Sequence, residues 1–325
     1  MKRREFIAGL GGATITWPLA AHAQQTMPVI GYFSGRSPNA EAAVRDPFLK
    51  ALAEAGLVPG RTVTIEYRFA EGRDDRLPAL ATELVRRQVT VLVATDRPAS
   101  LAAKAATSNI PIVFSSGEDP VRLGLVASLN SPGGNATGVV VFTSQLGPKR
   151  LGLLREFLPK PGLIAFVVNP NNDSTPLQIE QMQIAAKALG QPLIVLKAGT
   201  ESEIDAAFST MEKQKVSAVL YGATLFFQVI ANRLIALAAR YKIPASYEWR
   251  ESVTAGGLMS YSTDRAKVGR QIGSYTGQVL KGTKTTDLPV VQSSNFVFVI
   301  NLKTAKALGI EVPPTLLARA DEVIE

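Results

Sequence analysis

The chain of 325 residues contains no cysteine and only one histidine, His22. Without cysteine it forms no disulfide, holds no metal through thiolates and has no thiol nucleophile. His22 lies in an N-terminal segment that we expect to be removed, so the mature protein lacks the commonest metal ligand and the commonest general base. These absences count against most hydrolases and metalloenzymes, and we expect neither a cofactor nor a metal site. They leave open chemistry by carboxylates or lysine.

Long apolar runs and blocks of one charge are also missing. No run after the N-terminal segment is long enough to cross a bilayer. The formal net charge is +8, but the lysines and arginines are scattered and are not interleaved with aromatic residues, so we expect no nucleic-acid partner. A hydrophobic content of 46% with 19% charged residues is typical of a globular protein with a sizeable core, and the length favours two domains.

Residues 1–23 have the features of a secretory signal peptide. A basic start and a weakly apolar stretch are followed by the small-x-small sequence Ala21-His22-Ala23. The run Arg3-Arg4-Glu5-Phe6-Ile7 resembles the twin-arginine export motif. The alternative is a short membrane anchor, which the brevity and the Gly/Thr content of the apolar stretch disfavour. We therefore expect cleavage near Ala23 and a periplasmic protein.

The stretch 89–120 predicts the centre of the fold. Continuous apolar strands at 89–94 and 110–114 are separated by a helix at 99–107, and each strand ends in a polar turn, at 95–98 and at 115–120. Buried strands that alternate with helices indicate a parallel sheet covered on both faces. Because ligands bind at the carboxyl ends of such strands, both turns are expected to open on one crevice.

The same alternation recurs after residue 144, so the chain predicts an α/β protein with two doubly wound, Rossmann-like lobes joined by a hinge. The strand at 63–69 alternates polar and apolar residues, which is typical of a sheet edge. Further helices are predicted near 121–129 and, at the C-terminus, over 313–325. Ligands favour the cleft between two such lobes, and hinge closure around a ligand is a known class of motion.

Several motifs resemble one family, the ABC transporter substrate-binding proteins whose better-known members bind tryptophan and related aromatic amino acids. They are the segments 94–99, 110–114, 119–121, 132–138 (PGGNATG), 255–261 (AGGLMSY), 301–309 (NLKTAKALG) and 317–324 (LARADEVI). The resemblance implies a type I periplasmic binding fold, a permease partner in the inner membrane and a monomer. It also implies three crossings between lobes, which we place near 141–146, 254–258 and 286–296. The first lobe is then 24–143 plus 258–290, and the second is 144–257 plus 291–325.

The first lobe contributes candidate ligand-binding residues from its polar turns. Thr95 and Ser100 flank a predicted helix start, where backbone N–H groups and the helix dipole suit a ligand carboxylate, or where the two residues act only as caps. Arg97 can form a bidentate pair with a carboxylate or be an exposed turn residue. Ser34, in the turn after the first strand, is a donor to the ligand or simply a turn residue.

Two further candidates follow the strand at 110–114. Ser116 is placed to bind the ligand. Asp119 can hold an ammonium group, but an aspartate before a proline also commonly begins a helix.

The second lobe contributes amides, aromatic rings and a carboxylate. Asn169 and Asn171 lie in the turn after its first strand, and Tyr221 ends a later strand. Glu248 and Trp249 end another strand, where an aromatic face suits a flat ligand and a carboxylate suits an amine. Tyr247, Phe226 and Phe227 are interpreted as core residues.

The function that these features predict is capture of a small organic ligand between two lobes, for import by an ABC transporter. An amino acid or aromatic acid fits the candidate residues best. One alternative is a sensory module that presents the bound ligand to a chemoreceptor or kinase. A less favoured alternative is an enzyme that uses paired carboxylates in the same cleft, since His, Cys, a nucleophile elbow and a phosphate loop are all missing.

Overall fold

The computed structural model describes residues 27–141, 146–158 and 162–325. The proposed signal peptide and part of the first predicted crossing lie outside these residues. The strands, in chain order, are β1 (Val29–Ser34), β2 (Thr64–Phe69), β3 (Val91–Ala94), β4 (Ile112–Ser116), β5 (Ala136–Val140), β6 (Ile164–Val168), β7 (Leu193–Lys197), β8 (Ala218–Tyr221), β9 (Ala245–Tyr247), β10 (Met259–Thr263), β11 (Val291–Gln292), β12 (Phe296–Asn301) and β13 (Glu322–Ile324).

Helices connect most of these strands. They are α1 (Pro38–Glu54), α2 (Leu77–Arg86), α3 (Arg97–Ala106), α4 (Gly147–Glu156), α5 (Thr175–Ala188), α6 (Glu201–Lys213), α7 (Leu225–Val229), α8 (Ala231–Arg240), α9 (Arg250–Thr254), α10 (Arg265–Leu280), α11 (Leu302–Ala307) and α12 (Pro314–Leu317). Short 3-10 turns lie at Asp74–Arg76 and Thr285–Asp287.

The strands form two sheets. The first is a six-stranded parallel sheet in the order β11-β5-β4-β3-β1-β2, and the second is a seven-stranded sheet in the order β13-β12-β10-β9-β8-β6-β7. Every residue of β3, β4 and β5 is buried, because helices cover both faces, whereas β2 is an edge strand with partly buried residues, as its alternating pattern predicts. The two-lobed, doubly wound α/β fold predicted from the sequence is confirmed.

The lobe boundaries predicted after residue 254 are wrong in two places. Strand β10 pairs with β9 and β12 and so belongs to the second sheet, while β11 pairs with β5 in the first. The return to the first lobe therefore falls between β10 and α10 and not at 254–258, where Gly256 closes the turn after α9 with a φ of 111°. The next crossing, between β11 and β12, lies within the predicted segment 286–296.

Helix α10 packs against α1 of the first lobe through a row of glycines. Gly269, Gly273 and Gly277 recur every fourth residue and so share one face of the helix. A methyl group at Gly269 would overlap the carbonyl oxygen of Val44, and one at Gly273 would lie 2.6 Å from the carbonyl oxygen of Phe48. The missing side chains let the two backbones approach closely.

Of two predicted helices, the one at 121–129 is absent from the described residues and the one at 313–325 is reduced to α12. Residues 121–129 form successive turns, in which the carboxylate of Asp119 accepts the N–H of Val121 at 2.9 Å. The C-terminal segment contains only the short helix α12 and then β13, which pairs in parallel with β12. Val323 and Ile324 are β-branched and suit an extended partner strand better than a helix.

Candidate functional site

A cavity of about 530 Å³ lies between the two lobes. Its walls come from turns at the carboxyl ends of strands in both sheets: those after β1, β2, β3 and β4 in the first lobe, and those after β6, β7, β8 and β9 in the second. This is where ligands bind in open α/β sheets. The polar turns after β3 and β4 lie along this one cavity, as the strand pattern predicts.

Six of the candidate residues predicted from the sequence lie on the cavity wall. They are Thr95, Arg97, Asn169, Asn171, Glu248 and Trp249. Glu248 and Trp249 are buried, whereas Arg97 and the asparagines are nearer the mouth.

Three candidates, Ser116, Asp119 and Tyr221, do not line the cavity, and their side chains make other contacts. The prediction that they contact the ligand is corrected accordingly. The carboxylate of Asp119 caps a turn through the N–H groups of Val121 and Arg122. The Ser116 hydroxyl is buried, donating to the carbonyl of Glu118 and accepting from the N–H of the same residue. Tyr221 is 2% exposed and packs between the rings of Phe227 and Tyr247, because its side chain projects into the core of the second lobe.

Ser34 and Ser100 lie beneath the wall rather than on it. The Ser34 hydroxyl contacts carboxylate oxygens of Asp96, at 2.8 Å, and Glu41, at 3.1 Å. The Ser100 hydroxyl donates to the carbonyl of Asp96 at 2.6 Å, one turn back along helix α3. Both serines are fully buried and support the residues that form the wall.

The start of helix α3 is occupied by a carboxylate of the chain itself. Asp96 is the N-cap, and its Oδ1 accepts the N–H of Ala99 at 2.9 Å. Its Oδ2 accepts the N–H of Gly35 at 2.7 Å. The prediction that this helix start binds a ligand carboxylate is therefore wrong, because Asp96 already fills the anion-binding position.

Behind Asp96 lies a buried charge network centred on Arg36. The Arg36 guanidinium lies 3.2 Å from Glu41 and 3.8 Å from Asp96, and it donates to the carbonyl of Thr95 at 2.9 Å. Burial opposes its charge, but the two carboxylates outweigh burial and raise the pKa of Arg36. Burial and the charge of Glu41 likewise raise the pKa of the Tyr32 hydroxyl, which donates to Glu41 at 2.8 Å. These contacts hold the Arg36 and Asp96 side chains in place on the first lobe's part of the wall.

Glu248 is the buried carboxylate of the second lobe. It is 9% exposed, and its Oε2 accepts a hydrogen bond from Gln228 Nε2 at 3.3 Å. Among the described residues, no lysine or arginine nitrogen lies within 4.0 Å of it. Burial raises the pKa of its carboxyl group, while Arg150 and Arg36 at longer range lower it. An incompletely compensated carboxylate on a cavity wall favours a cationic group of a ligand.

Gln228 and several other contacts join the two lobes across the cavity. Arg36 Nε donates to Gln228 Oε1 at 3.0 Å, so Gln228 links the Arg36 network to Glu248. At the mouth, Arg97 Nη2 lies 2.8 Å from Asp173 Oδ2. Arg265 at the start of α10 stacks on Trp249, 5.1 Å from the ring centroid. The lobes are therefore closed against each other.

Two polar groups of nine-tenths buried side chains on the wall have no hydrogen-bond partner of good geometry among the residues that the structure describes, the Thr95 hydroxyl and the Trp249 indole N–H. Buried polar groups are normally satisfied, so each is available to a bound molecule. Arg97 Nε, on a less buried side chain, makes no hydrogen bond either but lies 3.6 Å from Glu118.

The sequence analysis missed several wall residues: Arg36, Asp74, Asp96, Phe226 and Gln228. Arg36 lies in a predicted polar turn after a strand, which was the signal that could have identified it. Phe226 was interpreted as core, and only its neighbour Phe227 is fully buried in the aromatic cluster. Gln228 carries no such signal, because its role depends on contact with the opposite lobe.

The described residues contain no group of three or more His, Cys, Asp or Glu side chains arranged to hold a metal ion. None of their helices combines the length and apolar character needed to cross a membrane.

Comparison with known proteins gives a consistent result. The family model described as ABC transporter substrate binding protein matches residues 36–324. The tyrosine-binding protein of Clostridioides difficile strain R20291 is 29% identical over 265 residues, which cover 81% of this chain and 76% of that protein. The fold is that of type I periplasmic binding proteins.

Two solved structures have similar sequence identity to this chain but differ in how closely their folds superpose on it. The ABC domain from Streptococcus pneumonia in complex with L-Trp is 26% identical, with a TM-score of 0.82 over 91% of this chain and 99% of that one. The ligand-free, open structure of a substrate-binding protein with adhesive properties from Clostridium difficile is 25% identical, with a TM-score of 0.68 over 92% and 99%. The better match to the complex agrees with the closed lobes described above.

Proposed function

We propose, starting from the fact that this chain belongs to the family of ABC transporter substrate-binding proteins, that it is the extracytoplasmic receptor of an importer for an amino acid. The family consists of binding proteins and not enzymes. In this role the protein traps its ligand between the lobes and presents it to a permease in the inner membrane. The sequence features of residues 1–23 support export to the periplasm by the twin-arginine route.

The observation that carries the ligand class is the position of Glu248. A buried carboxylate without a close cation is costly, and a ligand ammonium group that bonds to it recovers that cost. Aromatic side chains of Trp249 and Phe226 line the same cavity and offer apolar surface to the body of the ligand. The relatives that bind tyrosine and L-Trp support an α-amino acid over other amines.

Closure completes the proposed binding site. Arg36 and Gln228 come from opposite lobes and meet at 3.0 Å, next to the hydrogen bond between Gln228 and Glu248. A ligand that bonds to Glu248 therefore stabilises the position of Gln228, whose side chain joins Glu248 to Arg36 of the opposite lobe. This is the behaviour that a transport receptor requires, because the permease must distinguish the loaded from the empty form.

The test is a thermal-shift screen of the mature protein against the twenty amino acids, aromatic acids and short peptides, followed by calorimetric titration of the hits. A ligand at 100 times its Kd raises the free energy of unfolding by about 2.7 kcal/mol. We expect one ligand per chain, recovered chemically unchanged. A chain that binds no amino acid, or that converts a bound one to product, would refute the proposal.

A further inference from the structure

The cavity wall carries more negative than positive charge, although the chain as a whole has a net charge of +8. Among the described residues that line it, two are arginines and five are acids: Arg36, Arg97, Asp74, Asp96, Glu118, Asp173 and Glu248. Adding the buried neighbours behind the wall, Glu41 and Arg150, gives six carboxylates against three guanidinium groups. The excess is thus local to the cavity and opposite in sign to the protein.

Ion pairing does not remove this excess. Arg36 is shared between Glu41 and Asp96, and Arg97 is shared between Asp173, at 2.8 Å, and Glu118, at 3.6 Å. Arg36 and Arg97 therefore each serve two carboxylates.

Asp74, which is exposed, and Glu248, which is buried, are left without a cation within 4.0 Å among the described residues, and they line the cavity from opposite lobes. Arg150 lies beyond ion-pair distance of Glu248, but its buried Nε and Nη1 have no hydrogen-bond partner among the described residues, so its charge offsets part of the excess near Glu248. Arg265, which contacts Trp249 from the other side, has its own partner in Glu251 at 3.7 Å.

An unpartnered donor on the wall favours a ligand that also carries a hydrogen-bond acceptor. The Trp249 indole N–H is only a donor, and it is 93% buried with no partner in the described part of the chain. The Thr95 hydroxyl, 97% buried, lies close to the Tyr32 hydroxyl and next to Asp96, the N-cap of α3, so it does not favour a ligand anion. A ligand carboxylate satisfies the Trp249 N–H, and its own negative charge does not supply the missing positive charge.

We infer that the ligand is a basic amino acid, with a second protonated amine or a guanidinium group in addition to its α-ammonium. This inference rests on the proposed function and specifies the ligand class of the same cavity. The α-ammonium bonds to Glu248, the carboxylate accepts from the Trp249 indole N–H, and the side-chain cation lies towards Asp74 and the acids of the rim. A zwitterion, whose only cation bonds to Glu248, would leave Asp74 without a cation.

The test compares matched pairs of ligands by calorimetry at 0.15 M ionic strength, where exposed charges are screened over about 8 Å. L-Arginine is titrated against L-citrulline, L-lysine against L-norleucine, and L-tryptophan and L-tyrosine form a third arm. We expect the charged member of each pair to bind at least tenfold more tightly than its uncharged counterpart and more tightly than either aromatic amino acid.

The substitution Asp74→Asn locates the effect. It should weaken L-arginine binding about fivefold, the effect of one partly screened charge contact, and leave L-citrulline unchanged. Asp75→Asn is the matched control, because Asp75 lies in the same 3-10 turn but pairs with Arg73 at 3.3 Å and does not line the cavity.

Three results would overturn the inference: equal affinity for arginine and citrulline, tighter binding of tryptophan or tyrosine than of the basic amino acids, or equal effects of the two aspartate substitutions. In the second case the proposed function survives and only the ligand class is wrong. If no arm shows binding, the proposed function itself fails.

Discussion

Replacing Glu248 by glutamine should change ligand binding and the stability of the empty protein in opposite directions. Glutamine keeps the size of the side chain and an oxygen that accepts from Gln228, but it carries no charge. A hydrogen bond between a charged pair contributes about 1.5–3 kcal/mol. We therefore expect the affinity for the amino acid identified in the screen to fall about 10- to 150-fold.

The empty protein should gain stability from the same substitution. Burial raises the pKa of Glu248, so the folded state holds this proton more tightly than the unfolded chain. At pH 7 the ionised group consequently opposes folding, and that penalty disappears as the pH falls through the raised pKa. A neutral glutamine lacks the penalty at every pH, so the gain should be greatest at neutral pH and vanish in acid.

Thermal unfolding with and without ligand measures both effects. At a concentration of 100 times the wild-type Kd, the ligand contributes about 2.7 kcal/mol to the wild type and, for a 30-fold weaker variant, about 0.9 kcal/mol. At about 2 °C per kcal/mol, the ligand-induced shift in Tm falls from about 5 °C to about 2 °C. Glu156→Gln is the control, because Glu156 pairs with Arg319 on the surface of the same lobe.

The reasoning fails if Glu248→Gln binds the ligand as tightly as the wild type, or if the empty variant is less stable than the wild type at pH 7. The first result would remove Glu248 from the site. The second would make it a structural residue.

Three further predictions concern packing, the cavity mouth and pH. Gly269→Ala should destabilise the protein by about 1–3 kcal/mol, because its methyl group meets the backbone of α1. The methyl group of Gly277→Ala meets only side chains, at 3.3 and 3.6 Å, so this substitution should be neutral or stabilising. Equal Tm values for the two variants would contradict this packing argument. Arg97→Ala should change ligand affinity less than about threefold, since Arg97 pairs with the largely exposed Asp173; a loss of more than tenfold in calorimetry would restore Arg97 as a ligand contact. Partial burial and the nearby charge of Asp96 raise the pKa of Asp74 to about 6. The affinity of the protein for arginine should therefore fall between pH 7 and pH 5, because this carboxylate becomes protonated. The Asp74→Asn variant should show a smaller fall in affinity over the same range.

The parts of this protein that local patterns determine were predictable from the sequence. Strands such as β3 and β4 are continuous apolar runs that end in polar turns, and this pattern alone requires helices on both faces and a ligand site at the strand ends. The motifs that resemble those of ABC transporter substrate-binding proteins likewise identified the class of protein from the sequence alone. Glu248 and Trp249 follow a predicted strand directly, so their place on the wall required no knowledge of the other lobe.

Only the tertiary structure decided the features that depend on a distant partner. The C-terminal segment becomes β13 because β12 offers it an open edge, and β10 joins the second sheet because β9 and β12 lie there. Asp96 caps α3 and thereby excludes a ligand carboxylate from that helix start. The charge balance of the cavity is likewise a sum over turns from both lobes, and those side chains come within a few ångströms of each other only after the chain has folded.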